Sequence, residues 1–180
     1  MSIPRTIALF SSSRRHGNTG ALIDSVAGQL GIEVVDLGAA RISVYDYEHR
    51  NRDDDFEPLM QRALACDQLI FASPVYWYAP SPAMKIFLDR ISDFLDLPDL
   101  LADGRRLRGK QAYVVCTSIE AEASAHFIGA FVDTFNYLGM HYGGVLHADC
   151  RDGYVAARHE AEAVAFAKRL QGAGGARVNG

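Results

Sequence analysis

The chain has 180 residues, enough for one domain with a sizeable core and too few for a second. With 49% hydrophobic and 22% charged residues its composition is globular, and no apolar run nears the roughly 18 residues of a membrane span, so a soluble protein is expected. A net charge of −4 leaves no broad basic field for nucleic acid, and three cysteines without C-x-x-C or zinc spacing argue against a disulfide scaffold, a zinc site or a cysteine-ligated iron–sulfur cluster.

A reducing cytoplasm suits those cysteines. The opening MSIPRTIALF holds too short an apolar segment for a secretory signal and is expected to run straight into a strand, Thr6–Phe10. Downstream, Leu22, Ile23, Val26, Ala27 and Leu30 recur at helical spacing, so the polar stretch between is a strand-to-helix loop. A helix starting near Asn18 and Thr19 leaves its first N–H groups unpaired at the positive end of its dipole, where an anion gains hydrogen bonds and charge attraction. Ser11, Ser12, Ser13 and Thr19 add hydroxyl donors, Arg14 and Arg15 add charge, and Gly17 permits a tight turn. The loop has neither the G-x-x-x-x-G-K-[ST] nor the G-x-G-x-x-G spacing, so a phosphate monoester fits it better than a triphosphate or a dinucleotide. Simple helix capping with solvated arginines is the alternative.

Residues 32–37 (IEVVDL) read as a second strand, followed by a polar, turn-rich connection over 38–55. Asp53, Asp54 and Asp55 directly precede Phe56, Leu59, Met60, Ala63 and Leu64 at helical spacing, which predicts carboxylates capping a helix rather than binding a cation. Residues 68–73 (QLIFAS) form a continuous apolar run, expected of a strand covered on both faces. The segment SPVYWYAPSP then holds Pro74, Pro80 and Pro82, which forbid a regular helix or ladder, and it carries Val75, Tyr76, Trp77 and Tyr78. These four either pack inward or against another subunit, or form a stacking wall for a flat aromatic ligand. Pro82 suits a first helical turn, and Met84, Phe87, Leu88, Ile91 and Phe94 mark that helix's apolar face, with Lys85 and Asp89 as an exposed pair.

Residues 96–110 read as an exposed, charged connection. A fourth strand over 111–117 (QAYVVCT) holds Cys116 as a core residue, and 118–124 (SIEAEAS) is a third strand-to-helix loop. Phe127, Ile128, Phe131, Val132, Phe135 and Leu138 predict a helix ended by Gly139, and 140–146 a fifth strand weakened by Gly143 and Gly144. His141, His147, Asp149 and Cys150 fit no compact metal spacing and are read as structural. A last helix carries Ala163, Phe166, Ala167 and Leu170. Residues 1–171 are thus expected to form one domain, with 172–180 as a flexible tail.

Five strands alternating with helices imply an α/β three-layer sandwich with a parallel sheet and right-handed crossovers. With strand order 2-1-3-4-5, the loops after the first, third and fourth strands become neighbours at the carboxyl edge, where such folds bind ligands.

These residues resemble the flavodoxin-like NAD(P)H-dependent FMN reductases, including related quinone and azo-dye reductases. The similarity is sharpest at Ser11–Thr19 (SSSRRHGNT), which looks like the family's phosphate loop with Ser11 in place of a usual Gly, and at 73–90 (SPVYWYAPSPAMKIFLDR). The resemblance implies a flavodoxin-like fold and an FMN-dependent oxidoreductase passing hydride from NAD(P)H to free flavin, a quinone or an azo compound. It assigns Ser12, Arg14, Gly17, Asn18 and Thr19 to the phosphate, and Pro74, Val75, Tyr76 and Trp77 to the isoalloxazine. Thr117, Ser118 and Ile119 of a glycine-poor third loop complete the site. It also implies a homodimer or tetramer and no acid–base residue. The competing reading is a flavodoxin-type FMN electron carrier without direct NAD(P)H turnover; those proteins resemble the chain in fold but are strongly acidic, whereas here 18 basic residues face 22 acidic ones.

Overall fold

The computed structural model describes residues 4–172. Strands β1 (Thr6–Phe10), β2 (Glu33–Asp36), β3 (Gln68–Pro74), β4 (Gln111–Ser118) and β5 (His141–Asp149) pair in parallel in the order β2-β1-β3-β4-β5. Helices α1 (Asn18–Leu30), α2 (Phe56–Leu64), α3 (Pro82–Arg90), α4 (Asp93–Asp96), α5 (Leu101–Gly104), α6 (Ala125–Tyr137) and α7 (Ala156–Gly172) connect and follow them.

The two-residue period of a strand sends alternate side chains to opposite faces, and the sequence fills both. Ile7 and Leu9, Leu69 and Phe71, and Ala112, Val114 and Cys116 share one apolar layer with α2, α3, α4 and α6. Ala8 and Phe10, Ile70 and Ala72, and Tyr113 and Val115 share the other with α1 and α7. A one-residue slip would exchange every one of these contacts, so the layers fix the register. Phe127, Phe131 and Phe135 recur on one face of α6; Phe131 and Phe135 meet Phe71, with the Phe71–Phe135 centroids 5.0 Å apart, and Phe127 packs on Phe131. Removing one such ring costs about 3–5 kcal/mol.

Three sequence expectations change. The single helix over Met84–Phe94 is broken: α3 stops at Arg90, and the chain turns before α4, although Phe94 remains buried. Residues 96–110 are not an exposed connection. Leu100 and Leu107 are buried, and a Cβ at Gly104 would lie 2.1 Å from the Phe94 carbonyl oxygen, so this segment packs backbone to backbone on α4. β5 runs three residues further, to Asp149, so His147 lies inside it. Gly143 and Gly144 mark an irregularity in that strand: a Cβ at Gly143 would sit 2.2 Å from the Tyr113 ring, and the register shifts between Ala112 and Tyr113 opposite it. The predicted tail, apart from Gly172, lies outside the described residues.

The aspartate run divides its work. The N-cap of α2 is Asp55, which makes no side-chain cap bond; Asp54 accepts the Phe56 N–H at 3.0 Å, and its other oxygen accepts from Arg90 at 2.6 Å and from the Ser43 amide at 2.9 Å. Asp55 accepts the Arg41 N–H at 2.7 Å. Arg90, fully buried, also bonds Asp93 and the carbonyls of Ser43 and Asn51, and lies 4.7 Å over the Phe56 ring. One guanidinium thereby ties the long 38–55 connection to α3 and α4.

Candidate functional site

The first loop leaves β1 at Ser11, whose N–H donates to the Ala72 carbonyl at 2.9 Å. The Ser11 hydroxyl is not available to a ligand: it is buried 2.8 Å from the Ser81 hydroxyl, and the Ser73 hydroxyl accepts the Ser81 N–H at 2.9 Å. Three serines thus join the base of the first loop to both ends of the second. Beyond them the chain turns, Gly17 N–H donating to the Arg14 carbonyl at 3.0 Å, and α1 begins. Gly17 sits in extended backbone at the N-cap and offers no capping side chain, so the first-turn amides, which have no intrahelical acceptor, are left for another partner. A Cβ at Gly20 would fall 1.8 Å from the Arg15 carbonyl oxygen, so only glycine lets the loop lie against its helix.

The two arginines separate. Arg14 lines the cavity described below, whereas Arg15 makes a two-pronged pair with Asp24 (3.0 and 2.7 Å) and lies 5.0 Å over the Phe10 ring, committed to structure. Asn18 Oδ1 accepts the Tyr154 N–H at 3.2 Å, leaving the Nδ2 protons as donors.

The second loop starts where Pro74 pairs with Thr117 and Val75 N–H donates to the Thr117 carbonyl at 3.0 Å. Tyr76 and Ala79 then exchange both backbone hydrogen bonds (2.9 and 3.0 Å) around Trp77 and Tyr78, whose φ values are 47° and 63°. This is a two-residue hairpin turn with both central residues left-handed, a place normally taken by Asn-Gly. Trp77 is 94% exposed and Tyr78 62%. In the third loop the Ser118 hydroxyl meets His147 Nε2 at 2.8 Å and accepts the Glu120 N–H at 3.2 Å. Burial lowers the His147 imidazole below its usual value.

These loops enclose one cavity of about 390 Å³ at the carboxyl edge of β1, β3 and β4, and all twelve residues singled out in the sequence line it. Tyr78, Glu120 and Cys150 line it too. Tyr78 was visible among the aromatics. Cys150 is carried there by the pairing of Ser118 with Asp149, which a shorter fifth strand conceals. Donors and a guanidinium at one side, with proline, valine and aromatic rings at the other, fit a flat ring bearing a phosphate. Among the described residues no group of three or more His, Cys, Asp or Glu could hold a metal. Burial raises the Cys150 thiol and pushes Cys116 up to about 12, so neither is an activated nucleophile.

The family model described as NADPH-dependent FMN reductase matches residues 4–147. The chain belongs to this family. An NAD(P)H-dependent FMN-containing oxidoreductase provisionally assigned in Bacillus subtilis (strain 168), YwqN, is 30% identical over 158 residues, covering 83% of this chain and 87% of the relative. The structure of the Trp repressor binding protein from Bacillus subtilis superposes with a TM-score of 0.71 at 25% identity, over 97% of this chain and 99% of that one. The fold is shared with an FMN-dependent NADH-azoreductase from Bacillus anthracis in complex with FMN, at TM-score 0.66 and 11% identity, over 93% and 99% of the two chains.

As an FMN reductase, the protein is an NAD(P)H-dependent oxidoreductase of the flavodoxin-like class. The matched span runs from before β1 into β5 and contains all three cavity loops, while α7 lies beyond it. Among the described residues no helix is long and apolar enough to cross a membrane.

Proposed function

We propose that Ser12, Arg14, Gly17, Asn18 and Thr19 hold the phosphate of FMN, and that Pro74–Trp77 with Thr117–Ile119 flank its ring, in an enzyme that passes hydride from NAD(P)H to a small acceptor. The observation that carries this reading is the convergence of all twelve residues, donors and apolar rings together, on one cavity. FMN supplies a ring that takes hydride from a nicotinamide and returns electrons to a second substrate. The chain's own work is positional. Unpaired α1 amides and Arg14 grip the anion, the hairpin turn fixes the wall beside the ring, and the apolar lining keeps water from the face. Free backbone N–H groups near Trp77 would favour the electron-rich ring. No acid–base side chain is assigned.

Exposed Trp77 and Tyr78 beside the cavity support a homodimer or tetramer that covers them, to be tested by gel filtration. A free flavin, quinone or azo compound is the acceptor class, with no nucleic-acid partner, and three unpaired cysteines suit the cytoplasm. The deciding experiment is an absorption spectrum before and after adding FMN, followed by turnover with NADH or NADPH and a quinone. Catalytic nicotinamide oxidation supports the reductase. Tight FMN binding without oxidation marks an electron carrier, and no binding sinks the reading.

A further inference from the structure

One side chain crosses from the aromatic turn to the first loop. Tyr76 Oη accepts the Ser13 N–H at 3.4 Å, and Tyr76 lines the same cavity as Ser12 and Arg14 of that loop. Arg14 acts on the same oxygen through its charge. Burial works to raise the phenol, yet hydrogen bonding from the first loop and Arg14 outweigh it and hold Tyr76 below its ordinary value of 10. A backbone N–H donor to the phenol oxygen, with Arg14 and Ser12 lining the same cavity, marks a spot that favours negative charge.

We propose that the Tyr76 hydroxyl, joined to Ser13 of the first loop, is a ligand of the mononucleotide's phosphate rather than part of the ring wall. This rests on the FMN reading and reassigns a residue within it. While Oη accepts from the loop, its own proton remains to be donated, and a phosphate oxygen is the acceptor the cluster lacks. Because the same residue anchors the turn through its bonds to Ala79, phosphate binding steadies the backbone of Trp77 and Tyr78.

Riboflavin has the same ring and no phosphate, so it separates the two roles. Flavin fluorescence quenching should give Tyr76→Phe a roughly tenfold weaker affinity for FMN with riboflavin affinity within twofold of wild type. Equal losses for both flavins return Tyr76 to the ring wall, and an unchanged FMN affinity also overturns the proposal. Inorganic phosphate is a probe independent of flavin: it should raise the melting temperature of the wild type above that in chloride of equal ionic strength, and raise that of Tyr76→Phe by clearly less. Equal stabilisation of both proteins overturns the proposal. If the wild type binds neither flavin but phosphate stabilises it through Tyr76, the donor cluster stands and the FMN reading falls. A third measurement needs no variant. At a pH near 10, phosphate added to the wild type should lower the phenolate absorbance, because a dianion beside Tyr76 favours the protonated phenol; no change counts against the proposal.

Discussion

The hydroxyls of Thr19 and Thr117 meet at 2.6 Å, buried, although 98 residues separate them in the chain. One stands in the first turn of α1 and the other near the end of β4, so this contact sets the distance between the phosphate loop and the third loop. Either single change to Val leaves a buried hydroxyl without its partner and should cost about 1–3 kcal/mol, whereas the double change removes both polar groups and should cost less than the sum. Urea unfolding of the four proteins in the cycle measures the coupling. The singles should also weaken FMN binding, since they release the α1 N-terminus.

Arg90 is the other long-range tie. Replacing it with Met leaves the Asp54 and Asp93 carboxylates buried without their guanidinium, keeping only the Ser43 and Phe56 amides and His49, and should cost about 3–5 kcal/mol. Limited proteolysis should then cut first within 38–55, whose carbonyls at Ser43 and Asn51 lose their donor.

The same cluster gives a pH signature. Burial works to raise Asp54, but hydrogen bonds from Arg90 and from the Ser43 and Phe56 amides outweigh it and leave the carboxyl below its ordinary value of 3.8. A depressed folded value means the stabilisation is complete above the unfolded value and is lost as pH falls through the folded one. Wild-type stability should therefore decline below about pH 4, the ordinary carboxylate range. Asp54→Asn should be less stable at neutral pH and show a shallower acid limb when urea midpoints are compared across that range.

The sheet, the helices and the three cavity loops were legible because they rest on short-range signals: two-residue alternation in the strands, helical spacing at Leu22–Leu30 and Phe127–Leu138, and prolines bounding the aromatic segment. What was not legible depended on pairings distant in sequence. Nothing local says that Ser11 turns inward to Ser81, that Arg15 is taken by Asp24, or that Arg90 gathers Asp54 from 36 residues away. The charged 96–110 segment reads as exposed because its two anchoring leucines, Leu100 and Leu107, sit seven apart in a run crowded with charge and broken by Pro98, Gly104 and Gly109, and the close approach at Gly104 has no sequence period.

Gly20 gives a test of loop backbone without touching a donor. Its missing Cβ accommodates the Arg15 carbonyl, which cannot move without shifting the turn that presents the α1 amides. Gly20→Ala should keep every side chain of the site and still weaken FMN binding at least tenfold. Riboflavin affinity should change less, because the displaced groups lie at the phosphate side. Quenching titrations with both flavins check this.

The hairpin turn at Trp77 and Tyr78 carries backbone strain that the fold does not need. Two large aromatics occupy left-handed positions at φ 47° and 63°, where each non-glycine residue costs about 1–3 kcal/mol, and Trp77 recovers little by burial since it is 94% exposed. Asn-Gly satisfies the same turn without that cost, although glycine gives back part of the gain through the entropy of the unfolded chain. The double change Trp77→Asn, Tyr78→Gly should therefore stabilise the protein by about 1 kcal/mol in urea unfolding. The aromatics would then be kept for what they touch rather than for the turn they form. Steady-state turnover with NAD(P)H and a quinone should fall in the stabilised variant, and its FMN affinity should fall too, since Trp77 and Tyr78 line the cavity. A stabilised variant with wild-type turnover would show that the two rings serve neither substrate, and gel filtration of the same sample would then ask whether they serve a subunit contact instead.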